Sequence, residues 1–128
     1  MAWYRQIYTT FWSDAKVADD FTPEDKYFYL YLLTNSHTTL CGCYEISEKQ
    51  ISNDTGYTVD VVARLLDRLE NVHHVILRDR DTKEILILNW YKYNWNRSEK
   101  VMRGVIKETD KIKSPVFRDK VMELMEAF

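Results

Sequence analysis

With 128 residues and a formal net charge of −2, the chain is long enough for one ordinary hydrophobic core and too short for two comfortable domains. Hydrophobic residues make up 45% and aromatics 14%, against only three Gly and two Pro, which excludes a disordered or collagen-like chain. The longest apolar stretches, such as Tyr27–Leu33 and Ile85–Leu88, fall short of the roughly 20 residues that cross a bilayer. Met1–Thr10 lacks both the apolar core and the small-residue cleavage site of a signal peptide, so a cytoplasmic protein is expected.

At the N-terminus, Tyr4, Gln6 and Tyr8 alternate with Arg5, Ile7 and Thr9, and this period of two predicts a β-strand over about Trp3–Thr9. Asp19-Asp20 are adjacent and therefore diverge on any regular element. They read as solvating residues ahead of a helix rather than as a catalytic pair.

Thr22-Pro-Glu-Asp is a strong helix start. Thr22 caps, Pro23 suits the first helical position, Glu24 and Asp25 complement the helix dipole, and Asp25 closes a capping box. The helix is expected to run to about Asn35, with Phe28, Tyr31 and Leu32 on its inner face. Leu40–Ile46 reads as a short strand. Ser47 then caps a second helix, with Gln50 as capping-box partner, and Gly56 ends it. Thr58 opens a third helix in which Val62, Leu65, Leu66 and Leu69 recur at i, i+3, i+4 and i+7, opposite Asp60, Arg64, Asp67 and Arg68. Val75–Arg78 and Glu84–Leu88 flank a polar connection and predict a β-hairpin.

Beyond Trp90 the pattern is helical again, with Val101, Val105 and Ile106 at helical spacing, until Ser114-Pro115 breaks it before a last short helix from about Val116. The charge also divides here. Residues 1–90 hold nine Lys and Arg against fourteen Asp and Glu, a balance of −5, whereas residues 91–128 hold nine against six, a balance of +3. The expected fold is therefore α+β and mostly helical. It is a winged helix-turn-helix over residues 1–90 with a hairpin wing and an added N-terminal strand, and residues 91–128 form a basic helical extension packed on it or linked from it.

The two cysteines, Cys41 and Cys43, are separated by one residue, too close for an unstrained bridge, and with His37, His73 or His74 they match no zinc-site spacing. They read as reduced thiols facing one way on a strand. There is no Gly-rich phosphate loop, metal-ligand spacing or nucleophile motif, so neither catalysis nor a cofactor or metal is expected.

Four segments, Arg5-Gln-Ile-Tyr-Thr-Thr-Phe-Trp-Ser-Asp, Phe21-Thr-Pro-Glu-Asp-Lys-Tyr-Phe-Tyr-Leu-Tyr-Leu, Cys41-Gly-Cys-Tyr-Glu-Ile and Ile85-Leu-Ile-Leu-Asn-Trp-Tyr-Lys-Tyr-Asn, in this order resemble the N-terminal domain of phage replisome-organiser proteins related to DnaD. The resemblance covers nearly the whole chain. It implies a winged helix that helps to organise a phage replication origin and to recruit host helicase-loading proteins, without catalysis. Family members typically continue into a C-terminal domain that carries much of the DNA binding, and no counterpart of it is expected within these 128 residues, as in a shortened relative or a piece of a longer protein.

The residues themselves offer two candidate DNA-binding sets. The first is the fold's conventional one: Thr58, Arg64 and Arg68 on the third helix, with Arg78, Arg80 and Lys83 on the hairpin. Asp60, Asp67, Asp79 and Asp81 lie among them and repel phosphate. In the simpler reading, Arg64 and Arg68 pair along their own helix with Asp60 and Asp67. The second set, Lys92, Arg97, Lys100, Arg103 and Lys107, lies where the charge excess is. Its last four members step by three or four and would line one helix face. The run Trp90-Tyr-Lys-Tyr-Asn-Trp has the composition of a base-stacking platform, but aromatics this dense more often pack together, here with the aromatics of residues 1–12. The partners expected are single- or double-stranded DNA, further copies of the chain and host replication proteins. The alternatives are an assembly module without DNA binding and a winged-helix transcriptional regulator.

Overall fold

The helix starts follow from local chemistry. In the computed structural model, which describes residues 2–128, the Thr22 hydroxyl accepts the Asp25 N–H at 3.1 Å and the Asp25 carboxylate accepts the Thr22 N–H at 3.1 Å. This capping box opens α1, Pro23–Thr34. Ser47 caps α2, Glu48–Thr55, by accepting the Gln50 N–H, while the Gln50 amide turns along the helix to Asp54 instead of closing a box. Gly56 ends α2 with φ of 84°, a left-handed conformation that costs glycine little. Thr58 caps α3, Val59–Asp67, which runs into a π-helical turn over Arg68–Val72. Val62, Leu65, Leu66 and Leu69 are all buried as their spacing predicts.

Three short strands form one antiparallel sheet in the order β1-β3-β2. They are β1, Cys43–Glu45, β2, Ile76–Asp79, and β3, Glu84–Ile87. Ile85 of β3 lies opposite Tyr44 of β1 and Arg78 of β2. The central strand is buried along its whole length. Three further helices follow: α4, Trp90–Asn94, α5, Glu99–Thr109, and α6, Pro115–Ala127. The fold is thus α+β and mostly helical. No helix among the described residues is long and apolar enough to cross a membrane.

The strand expected over Leu40–Ile46 shrinks to three residues because Gly42 breaks the pleat with φ of 84°. A side chain is also excluded there, since a Cβ on Gly42 would lie 2.6 Å from the Trp90 Cβ. Cys41 sits before this break and Cys43 after it, so they do not share a strand; both are buried free thiols. Burial pushes both thiols up in pKa.

The strand expected at Trp3–Thr9 is not formed. Tyr4 is 79% exposed and Tyr8 49%, with Ile7 also exposed, so the alternation has no buried face to pay for ordering a strand. The segment is held by side chains instead. The Arg5 guanidinium donates to the Thr38 hydroxyl and carbonyl, each at 2.9 Å, and lies 5.4 Å from the centre of the Trp90 ring. The chain then curls into a 3₁₀ turn over Thr9–Ser13, which buries Phe11.

Residues 91–128 contribute to the same core as the rest. Val105, Ile112, Phe117 and Val121 are buried in it. The buried Glu84 carboxylate of β3 accepts the N–H groups of Lys113 and Ser114 at 2.9 and 2.8 Å, so a strand of the sheet fixes the start of α6. Along α5 the inward stripe is Val101, Val105 and Thr109. Ile106, expected inside, is 51% exposed, because one residue past Val105 is about 100° further round the helix.

Candidate nucleic-acid interface

Arg68 opens the π-helical turn after α3 and is directed at the start of α1. Its Nε and Nη2 donate to the two oxygens of Asp25 at 3.0 and 2.7 Å, and the His73 Nε2 lies 2.9 Å from the same carboxylate. Asp25 is fully buried. Burial alone raises its pKa, but the bonds from Arg68, the Thr22 N–H and His73 outweigh that and hold it well below the usual carboxylate range. Arg68 therefore joins α3 to the start of α1 and pairs with neither Asp60 nor Asp67; Asp67 accepts from Asn71 instead. The sequence could identify Asp25 as a cap, but not as the centre of an ion pair 43 residues away in the chain.

Arg78 is likewise committed. Its side chain is 6% exposed, its Nε donates to Glu70 at 3.2 Å and its backbone N–H to the other Glu70 oxygen at 3.0 Å. Glu48 lies 3.9 Å from its Nη1. At the hairpin tip Arg80 and Lys83 are exposed, and Lys83 adopts φ of 60°. Asp79 accepts the N–H groups of Asp81 and Thr82 and so builds the turn. On α3, Thr58 spends its hydroxyl on the Val61 N–H, which leaves Arg64 as the exposed cation between the exposed Asp60 and Asp67. The conventional recognition face is thus reduced to Arg64, with Arg80 and Lys83 on the hairpin.

The second set is freer. Lys100, Arg103 and Lys107 are exposed along one side of α5. Arg103 makes only a long contact to Glu99, at 3.9 Å between side chains 71% and 85% exposed, and such a pair contributes little. Arg97 lies before the Ser98 cap, so it is not a rung of the helical ladder; its Nη2 donates to the Phe128 carbonyl at 3.3 Å. Lys92 is exposed on α4. None of Lys92, Lys100 and Lys107 forms an ion pair among the described residues.

The aromatic run beside this set is inward-facing at its two indoles. The Nε1 groups of Trp90 and Trp95 both donate to the Leu40 carbonyl, at 3.0 and 2.7 Å, and both rings are buried. Phe128 meets Trp95 edge-on at 5.7 Å and Tyr91 at 6.5 Å, so the end of the chain folds back onto the run. Of the packing expected with the aromatics of residues 1–12, Tyr93 meets Tyr8 edge-on at 4.8 Å, whereas Trp90 meets the Arg5 guanidinium instead of a ring. Compared with family models, curated proteins and solved structures, the chain matches none.

Proposed function

We propose that the chain is a winged-helix module of phage or prophage replication initiation, acting in the cytoplasm of the bacterial host. In this reading it binds nucleic-acid phosphate mainly through α5 and assembles with copies of itself and with host helicase-loading proteins. The winged-helix assignment is supported by the order α1, β1, α2, α3, β2, β3 and by β1 pairing with β3 on the side away from β2. The observation that carries the binding role is the exposed row Lys100, Arg103 and Lys107 on α5, set against an α3 face on which Asp60 and Asp67 flank Arg64. Phosphate follows local positive potential, so α5 outranks α3 despite the usual role of the third helix in this architecture. The role is one of binding and assembly, without catalysis.

Self-association is the second reading, favoured by the N-terminal segment, where Trp3 is 99% exposed and Trp12 59%; large exposed aromatics mark contact sites. Fluorescence anisotropy with single- and double-stranded oligonucleotides, run beside light scattering, separates the two. Changing Lys100, Arg103 and Lys107 together to Glu should weaken DNA binding strongly, leaving it measurable at low salt, and leave the mass unchanged. Unchanged binding refutes the phosphate role of α5, and an altered mass assigns the row to assembly.

A further inference from the structure

Between the N-terminal segment and the body lies a cavity of about 170 Å³. Ile7, Tyr8 and Phe11 of the segment form one wall, and Tyr29 and Leu33 of α1 with Tyr93 of α4 form the other. The size is that of engineered apolar cavities, about 150 Å³, that take up benzene. Five rings line it: Tyr8, Phe11, Phe21, Tyr29 and Tyr93. The Tyr29 ring lies 6.0 Å from Phe11 in a stacked arrangement and 5.7 Å from Phe21 edge-on, which fixes it in the wall.

Two polar groups in the lining are unspent. Tyr29 is 7% exposed, and its hydroxyl has no hydrogen-bond partner among the described residues; burial, with Tyr93 and Asp14 nearby, pushes its pKa up and keeps it a neutral donor. The Asn89 side chain also lines the cavity and is without a side-chain partner among the described residues. The cation in the lining, Lys16, donates to the His73 carbonyl at 2.8 Å, and Asp14 also lines the cavity, so an anion would meet a carboxylate there. Tyr29 and Asn89 both remain reachable by water, which a ligand's own polar group can replace.

The geometry points to a binding site for a small aromatic molecule bearing one hydrogen-bonding group, of the size of phenol or indole, seated between the N-terminal segment and α1 with its polar group toward Tyr29 and Asn89. Its ring would lie against Phe11, Phe21 and Tyr29, in the edge-to-face and offset contacts that aromatic rings favour. Such a ligand adds to the contacts that Arg5, Tyr8, Phe11 and Lys16 make between the two parts of the chain, so binding stiffens the segment as well as filling the space. The inference does not depend on nucleic-acid binding.

The test is a titration of the full chain with phenol, indole and benzene, followed by backbone amide NMR shifts and thermal unfolding. Saturable shifts confined to Ile7–Val17, Tyr29, Leu33 and Asn89–Asn94, with a rise in Tm, are expected for phenol and indole. Tyr29→Phe should weaken phenol binding about three- to tenfold, as loss of one neutral hydrogen bond does, while benzene binding stays as it was. Leu33→Phe, which fills the space, should abolish both. Absence of saturable shifts up to the solubility of the probes overturns the proposal, as do shifts scattered over the surface or equal phenol binding by parent and Tyr29→Phe. A parent dimer that phenol dissociates also overturns it, because an aromatic side chain of a second copy is then the natural occupant.

Discussion

Asp25 serves two structures at once: it closes the capping box of α1 and accepts the Arg68 guanidinium and the His73 ring. Because its pKa is depressed in the fold, its contribution is fully present above the unfolded carboxylate value of about 4 and is lost as pH falls toward the folded value. Asp25→Asn should therefore cost about 3 kcal/mol at neutral pH, the usual loss on breaking a buried pair from one side, and flatten the fall in stability below about pH 4. Chemical denaturation at a series of pH values measures both. Gly42 is the second residue with no tolerance. Gly42→Ala places a methyl against Trp90 in a left-handed backbone, and a loss above about 2 kcal/mol in urea unfolding is expected. The cap at Asp25 was legible in the sequence because its partners lie within three residues. The ion pair with Arg68 and the contact of Gly42 with Trp90 were not, since they join residues about 40 to 50 positions apart, whose meeting depends on the tertiary fold.

At the scale of elements, periodicity succeeded where a buried face existed to enforce it. The stripe Val62, Leu65, Leu66 and Leu69 on α3 is buried throughout, and Leu66→Ala should cost roughly 2 to 5 kcal/mol in denaturant unfolding. Arg64→Ala, on the exposed side, should leave the midpoint within experimental error. The same logic explains the N-terminal segment, where alternation without burial gave no strand and a charged residue, Arg5, became the anchor. Deletion of residues 1–10 removes this anchor and its bonds to Thr38, so a lower Tm is expected; an unchanged Tm would mean that the segment carries no stability. In the candidate interface the residue types were legible but their allegiances were not. Arg68 and Arg78 were read as outward cations, yet each has a carboxylate partner brought to it by another part of the fold.

Across the whole molecule, residues 91–128 are bound to the rest through Val105, Phe117 and Val121 in the core, through Glu84 at the start of α6 and through the two indoles on Leu40. The exposed cations of α5 are therefore fixed in place against the acidic body. That arrangement makes the central claim, phosphate binding by α5 rather than α3, a matter of electrostatics that salt can measure. The decisive measurement is the dependence of log affinity on log salt concentration for one DNA duplex, taken for the parent, for the Lys100→Glu, Arg103→Glu, Lys107→Glu triple variant and for Arg64→Ala. A slope flatter by about two to three units is expected in the triple variant, since each phosphate contact contributes about 0.9, and at most about one unit in Arg64→Ala. A triple variant with the parent's slope, or a larger change in Arg64→Ala than in the triple variant, would contradict the central claim.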